Sequence, residues 1–182
     1  MTLEDTDEYI AGQVQTGNVQ SFGTLVERYE EKLRRYARRF LFGYTDAEDL
    51  VQDVFVKSYT NIQSFDTSRS FSSWIYRIAH NEFINAIKKK GKEPLPFFDA
   101  DTLFPHPKAS SQPDTDLAKQ ELLDMLNGSL EALDPKYREP LVLYYYEDMD
   151  YNQIAEVLQI PASTVGVRIL RARNKLQGIH TK

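Results

Sequence analysis

The chain has 182 residues, 41% of them hydrophobic and 27% charged, with a net charge of −5. That composition is globular, not disordered, and the length allows one ordinary domain or two small ones. It contains no cysteine, which excludes a disulfide scaffold and thiolate chemistry. Its three scattered histidines, His80, His106 and His180, give no metal-ligand spacing, so no metal or other cofactor is expected. No apolar run is long enough to cross a bilayer, and the acidic start (Glu4, Asp5, Asp7, Glu8) is the reverse of a secretory leader. A cytoplasmic protein without membrane insertion is the expectation.

The net charge hides its distribution. Residues 1–60 carry seven Lys/Arg against eleven Asp/Glu, and residues 61–92 carry six against two. Residues 93–161 carry four against fourteen, and residues 162–182 carry five against none. Two compact basic segments in an acidic chain suit two separate phosphate-facing surfaces, although ordinary charged helix faces would look the same.

Periodicity predicts a first helix over Asn18 to Phe40, with Phe22, Leu25, Val26, Tyr29, Leu33, Tyr36 and Phe40 on one face. A second is predicted from Thr45, taken as its N-cap, to Ile62, with Ala47, Leu50, Val51, Val54, Phe55, Ser58 and Ile62 as its core stripe. Glu48, Asp49, Gln52 and Asp53 lie off that stripe. Their spacing could supply metal-binding carboxylates, but no second helix carries a matching acidic motif, so a protein-docking or solvated face is favoured.

After the loop NIQSFDTSRS comes a helix from Phe71 to about Lys90 with two apolar sides. Phe71, Trp74, Ile75, Ile78 and Ala79 make one, and Tyr76, His80, Phe83 and Ile87 the other. Between them Arg77, Asn81, Asn85 and Lys88 recur at steps of four, four and three, stacking along one edge that runs into Lys88-Lys89-Lys90-Gly91-Lys92. Amides that satisfy base edges, rings that stack and lysines that hold phosphates suit an unpaired nucleic-acid strand. A doubly buried helix with a solvated edge is the competing explanation.

Five of the eight prolines fall between Pro94 and Pro113, where no helical period survives. That stretch, 93–113, reads as a linker, unusual for its Phe97, Phe98, Leu103 and Phe104. The expected organisation is therefore all-α: two small helical domains, 1–92 and 114–182, joined by a Pro-rich linker.

The second domain carries Leu117, Leu122, Leu123, Leu126, Leu130 and Leu133, then a helix capped by Asp134 with Pro135 at its first position. A short helix follows, Tyr151 to Leu158, then the turn Gln159-Ile160-Pro161 and a last helix with Ser163 as cap. Val165, Ile169, Ala172 and Leu176 form its inner stripe; Ser163, Val167, Arg171 and Asn174 lie opposite, flanked by Thr164, Arg168 and Lys175. A short helix, a tight turn and a basic helix make a helix-turn-helix layout, whose second helix enters the major groove N-terminus first. A basic hairpin in an ordinary bundle is the alternative.

Four segments in this order resemble the extracytoplasmic-function sigma factors: GNVQSFGTLVERYEEKLRRYARRF, DAEDLVQDVFVKSY, FSSWIYRIAHNEFINAIKKK and LDPKYREPLVLYYYEDMDYNQIAEVLQIPASTVGVRILRARNKL. The resemblance covers nearly the whole chain. It implies a non-enzymatic subunit, with no catalytic residue or small-molecule substrate, that brings core RNA polymerase to promoter DNA. It implies polymerase docking on Glu48, Asp49, Gln52 and Asp53. It implies capture of the minus-10 element as single strand by Phe65, Arg69, Trp74, Arg77, Asn81, Asn85, Lys88 and Lys89, with a flipped-out base at the 61–70 loop. Ser163, Thr164, Val167, Arg168, Arg171 and Lys175 would read the minus-35 duplex. The linker would run through the polymerase, and an anti-sigma factor is implied as a further partner.

The chain departs from the family pattern at three places. Gly166-Val167 stand where Lys-Ser or similar polar residues are common, Asn152-Gln153 replace a Ser/Thr-Glu pairing, and Asn85 replaces an aspartate. Two other readings compete. A helix-turn-helix regulator acting without polymerase leaves the Trp74–Lys90 segment and the exposed acids unexplained, and a metal-dependent helical hydrolase leaves both basic segments idle.

Overall fold

The computed structural model describes residues 6–89 and 129–180 and divides into two units, Met1–Glu93 and Pro94–Lys182. The predicted linker, its phenylalanines and the leucines from Leu117 to Leu126 lie outside the described residues. All regular structure among the described residues is helical.

In the first unit, α1 spans Asp7–Gln15, α2 Ser21–Phe40, α3 Ala47–Thr60 and α4 Phe71–Lys89, with a 3-10 turn at Ile62–Ser64. The sequence singles out no helix before Asn18; α1 is short, with Gly12 inside it, and its apolar signal rests on Ile10, Ala11 and Val14. Thr6 caps it by accepting from the Tyr9 amide at 3.2 Å. Gly17, at φ +104°, turns the chain, so residues 18–20 form the turn and α2 starts at Ser21 instead of Asn18. α3 likewise starts at Ala47: Asp46 holds the N-cap position, and Thr45 donates its hydroxyl to the Asp46 carboxylate instead of capping the helix.

The predicted α2 stripe becomes the centre of the core. Leu25, Tyr29, Leu33, Tyr36 and Phe40 are all at most 2% exposed. Tyr36 packs against Phe40, Tyr76 and Phe83 with ring centroids 5.1–5.8 Å apart, tying α2 to α4. Each such ring contributes on the order of 1.5–3 kcal/mol by burial alone, with about 0.5–1.5 kcal/mol more from ring–ring geometry. Both apolar sides of α4 are therefore used, leaving its polar edge as the side that meets solvent.

In the second unit a 3-10 turn at Leu130–Ala132 precedes α5, Pro135–Tyr146. Asp134 caps α5 through the Lys136 amide at 3.1 Å, with Pro135 where its missing N–H costs nothing. The short helix α6 is Tyr151–Leu158 and α7 is Ala162–His180. Gln159 ends α6 in the left-handed region at φ 55°, and Pro161 accepts from the Thr164 and Val165 amides. α7 thus begins at Ala162, which puts Ser163 inside the first turn and not at the cap. Leu141, Val142, Leu143, Ile154, Val157, Val165, Ile169, Ala172 and Leu176 close the core.

Candidate nucleic-acid interface

Along α3, Glu48, Asp49, Gln52 and Asp53 are all exposed, because Val51, Val54 and Ser58 take the inward positions. Val56 and Tyr59, 61% and 40% exposed, extend that outer face with apolar area. Periodicity assigned them no role. No group of three or more metal-ligating side chains occurs among the described residues.

The polar edge of α4 is open at Asn81, Asn85, Lys88 and Lys89, with Arg77 half-buried at its N-terminal end. Phe65 and Trp74 sit differently. They are 5% and 9% exposed and pack with Phe71 in a three-ring cluster, centroids 5.2–5.5 Å apart. Phe65 is thus almost wholly enclosed, while Trp74 keeps an edge on the cleft described next. Arg69 lies exposed on the loop, where its backbone amide bonds to Asp66 O at 3.0 Å.

A cleft of about 290 Å³ opens where the end of α3, the 3-10 turn and α4 meet. Lys57, Asn61 and Ser64 line one wall; Trp74, Arg77, Ile78, Asn81 and Glu82 line the other. Glu82 is paired with Lys57, and its side chain is 14% exposed. Arg77 and Asn81 make no hydrogen bond or ion pair to another described residue, so both can serve a ligand. Lys57 and Glu82 were missed from the sequence because α3–α4 packing, not helical period, brings them together.

The loop beside this cleft is held from α1. The Gln15 side-chain amide donates to both Ile62 O and Phe65 O at 2.7 Å, and Gln63 donates back to Gln15 O at 3.0 Å. Glu8 accepts from the Phe71 amide at 2.9 Å, satisfying an orphan N–H at the start of α4. Asp7 accepts from the Tyr29 hydroxyl at 2.6 Å and pairs with Arg28 at 2.7 Å. Burial, reinforced by the Asp7 hydrogen bond and charge, raises the Tyr29 pKa far above its usual value, so this phenol stays a donor. Asp66 accepts from the Ser68 hydroxyl and amide at 2.7 and 2.9 Å; those bonds lower its pKa and fix the outer turn.

In the second unit Asp150 accepts from the Asn152 and Gln153 amides at 2.8 and 2.9 Å, while Gln153 accepts from the Asp150 amide at 2.9 Å. This capping box gives Gln153 the job a glutamate would do, and Asp-x-x-Gln was legible in the sequence. On α7, Ser163, Asn174 and Lys175 are exposed, and Arg168 and Arg171 are half-buried. Lys175 also lies 4.6 Å over the Tyr137 ring. Thr164 and Val167 are 4% and 9% exposed, and Gly166 is buried, so these turns of α7 are covered on the face opposite the core stripe too. Helical period had placed Val167 on an open face. Its exposure depends on what packs over that face, which period does not encode.

The two units are thus an all-helical DNA-binding type: one with an Arg/Asn edge and cleft, the other with a helix-turn-helix. Sigma-70 region 2 matches residues 25–93, and Sigma-70 region 4 matches residues 123–176. The chain is 35% identical to the ECF RNA polymerase sigma factor SigW of Bacillus subtilis over 173 residues, covering 91% of each. It is 31% identical to the ECF RNA polymerase sigma-E factor of Escherichia coli, covering 97% of each. Among solved structures it resembles CnrH in complex with the cytosolic domain of CnrY, with a TM-score of 0.71 and 30% identity over 97% of this chain and 98% of that one. The sigma factor RpoE of Bartonella quintana, solved with the anti-sigma factor NepR, matches at a TM-score of 0.66 and 27% identity, over 89% of this chain and 98% of that one. The chain belongs to the extracytoplasmic-function sigma factors, a class of transcription factors and not of enzymes, whose work is promoter-specific initiation by RNA polymerase. The competing reading, a regulator acting without polymerase, falls away. Among the described residues no helix is long and apolar enough to cross a membrane.

Proposed function

We propose that the labour is divided between the two units. The first, residues 1–92, docks on the polymerase through Glu48, Asp49, Gln52 and Asp53 and captures the minus-10 element as single strand on Arg77, Asn81, Asn85, Lys88 and Lys89. Phe65 and Trp74 shape that site from below, and Arg69 reaches it from the loop. The observation that carries this reading is the α4 edge. Amide and cationic side chains stand in one row beside a cleft that Trp74 and Ile78 also line. Amides and guanidinium groups match base edges, and the terminal lysines match phosphate.

The second unit, 114–182, reads the minus-35 duplex with Ser163, Arg168, Arg171 and Lys175; Thr164 and Val167, implied for the same role by the resemblance, are buried. Residues 93–113 link the two. The protein acts in the cytoplasm, has no active site of its own, and is held in check by an anti-sigma factor, as the NepR complex of the Bartonella quintana relative suggests. Reconstitution with core RNA polymerase tests the scheme. Glu48→Lys with Asp53→Lys is expected to abolish co-elution with core while the chain keeps its helical content. Undiminished co-elution would contradict the docking surface.

A further inference from the structure

The cleft between α3 and α4 contains one feature that strand capture by a basic edge does not require. Glu82 is the sole acid on α4 and is nearly covered, yet it lines a wall that otherwise consists of donors, amides and apolar groups. We propose that Glu82 selects the base held in this cleft by accepting a hydrogen bond from an exocyclic amine, so that cytosine or adenine enters in preference to thymine. This deepens the minus-10 reading above and rests on it.

Three observations support it. The neighbouring wall is already committed: the Asn61 amide donates to Lys57 O at 2.8 Å, and the Ser64 hydroxyl donates to Asn61 O at 2.7 Å. Arg77 can only donate, which leaves the Glu82 carboxylate as the charged acceptor of the cleft. The Lys57 ammonium sits on one carboxylate oxygen, Oε2, which offsets the charge near a phosphate backbone and leaves Oε1 for a ligand. Cytosine N4 and adenine N6 are donors, whereas thymine O4 is an acceptor and would face the carboxylate with no proton between them. A partly desolvated acceptor pair of that kind is unfavourable on both sides. At about 290 Å³ the cleft is at the small end of ligand sites, a size suited to a single base.

The competing role for Glu82 is a tie between α3 and α4 through Lys57, and two variants separate the roles. The full-length chain is assembled with core polymerase on forked promoter templates that differ at one non-template base of the minus-10 element. At each position 5-methylcytosine is compared with thymine, which share the methyl group but carry an amine or an oxygen at carbon 4. The wild type is expected to favour 5-methylcytosine at one position by about tenfold in open-complex yield. Glu82→Gln, whose amide can rotate to donate or accept, is expected to reduce that preference to near unity. Lys57→Ala breaks the same ion pair but keeps the carboxylate, and is expected to retain the preference whatever the total yield. A preference unchanged in Glu82→Gln, or lost equally in both variants, would overturn the proposal while leaving the minus-10 reading intact. No open complex with the wild type on any template would overturn both.

Discussion

The two units present their basic helices to solvent in opposite ways. In the first, α4 buries two apolar sides and leaves Asn81, Asn85, Lys88 and Lys89 open, and α1 fastens the adjoining loop through Gln15 and Gln63. In the second, α7 is open toward its C-terminal half, at Leu170, Asn174 and Lys175, but covered at Thr164, Gly166 and Val167. The polar edge of α4 is open as folded, whereas the first turns of α7 are open at Ser163 but buried at Thr164, Gly166 and Val167.

The sharpest way to break the comparison is to destroy one unit and ask whether the other survives. Phe83→Ala removes a fully buried ring from the α2–α4 contact and is expected to cost about 3–5 kcal/mol. Polymerase binding and minus-10 capture should both fail, while gel-shift binding to a minus-35 duplex persists. Loss of duplex binding as well would show that the units do not fold independently.

Smaller in effect, Arg171→Ala should weaken minus-35 duplex binding by about tenfold to a hundredfold, the worth of a bidentate contact to guanine, and leave core binding unchanged. Equal loss of both would mean that Arg171 acts through folding.

Next comes the loop clamp. Gln15→Glu keeps the shape but sets a carboxylate against the Ile62 and Phe65 carbonyls in place of a donor. About 1–3 kcal/mol should be lost, read as a melting temperature lower by several degrees. Acidification that protonates the new side chain restores one donor, so the deficit should shrink at low pH. A deficit independent of pH would contradict the clamp.

Mildest near neutrality is the Tyr29–Asp7 bond. Because the folded pKa of Tyr29 is raised, its contribution is fully present below the ordinary tyrosine value of 10.0 and is lost as pH rises beyond it. Wild-type stability should therefore fall above about pH 10 more steeply than that of Tyr29→Phe, measured by denaturant titration.

Much of this was legible in the sequence, for identifiable reasons. The α2 stripe, the double-sided α4 with its Arg/Asn edge, the Asp134-Pro135 start and the α6–turn–α7 layout all follow from local period and cap chemistry, which tertiary packing did not override. What escaped is non-local. The fastening of Gln15 to residues 47 and 50 positions away, Glu8 on the start of α4, and Lys57 on Glu82 depend on which helices become neighbours. The family resemblance put Phe65 and Trp74 on the strand; in the fold their rings complete a cluster with Phe71, and Trp74 also lines the cleft. Thr164 and Val167 were read as open because period alone gives a face, not its cover.

The central claim is that the α4 edge captures an unpaired strand, and permanganate footprinting of the minus-10 element tests it most directly. With reconstituted holoenzyme, Asn81→Ala should leave closed-complex binding near wild type and reduce permanganate reactivity of minus-10 thymines by about tenfold, the loss of one good base-edge contact. Reactivity equal to wild type at equal occupancy would contradict the assignment of this edge to single-stranded DNA.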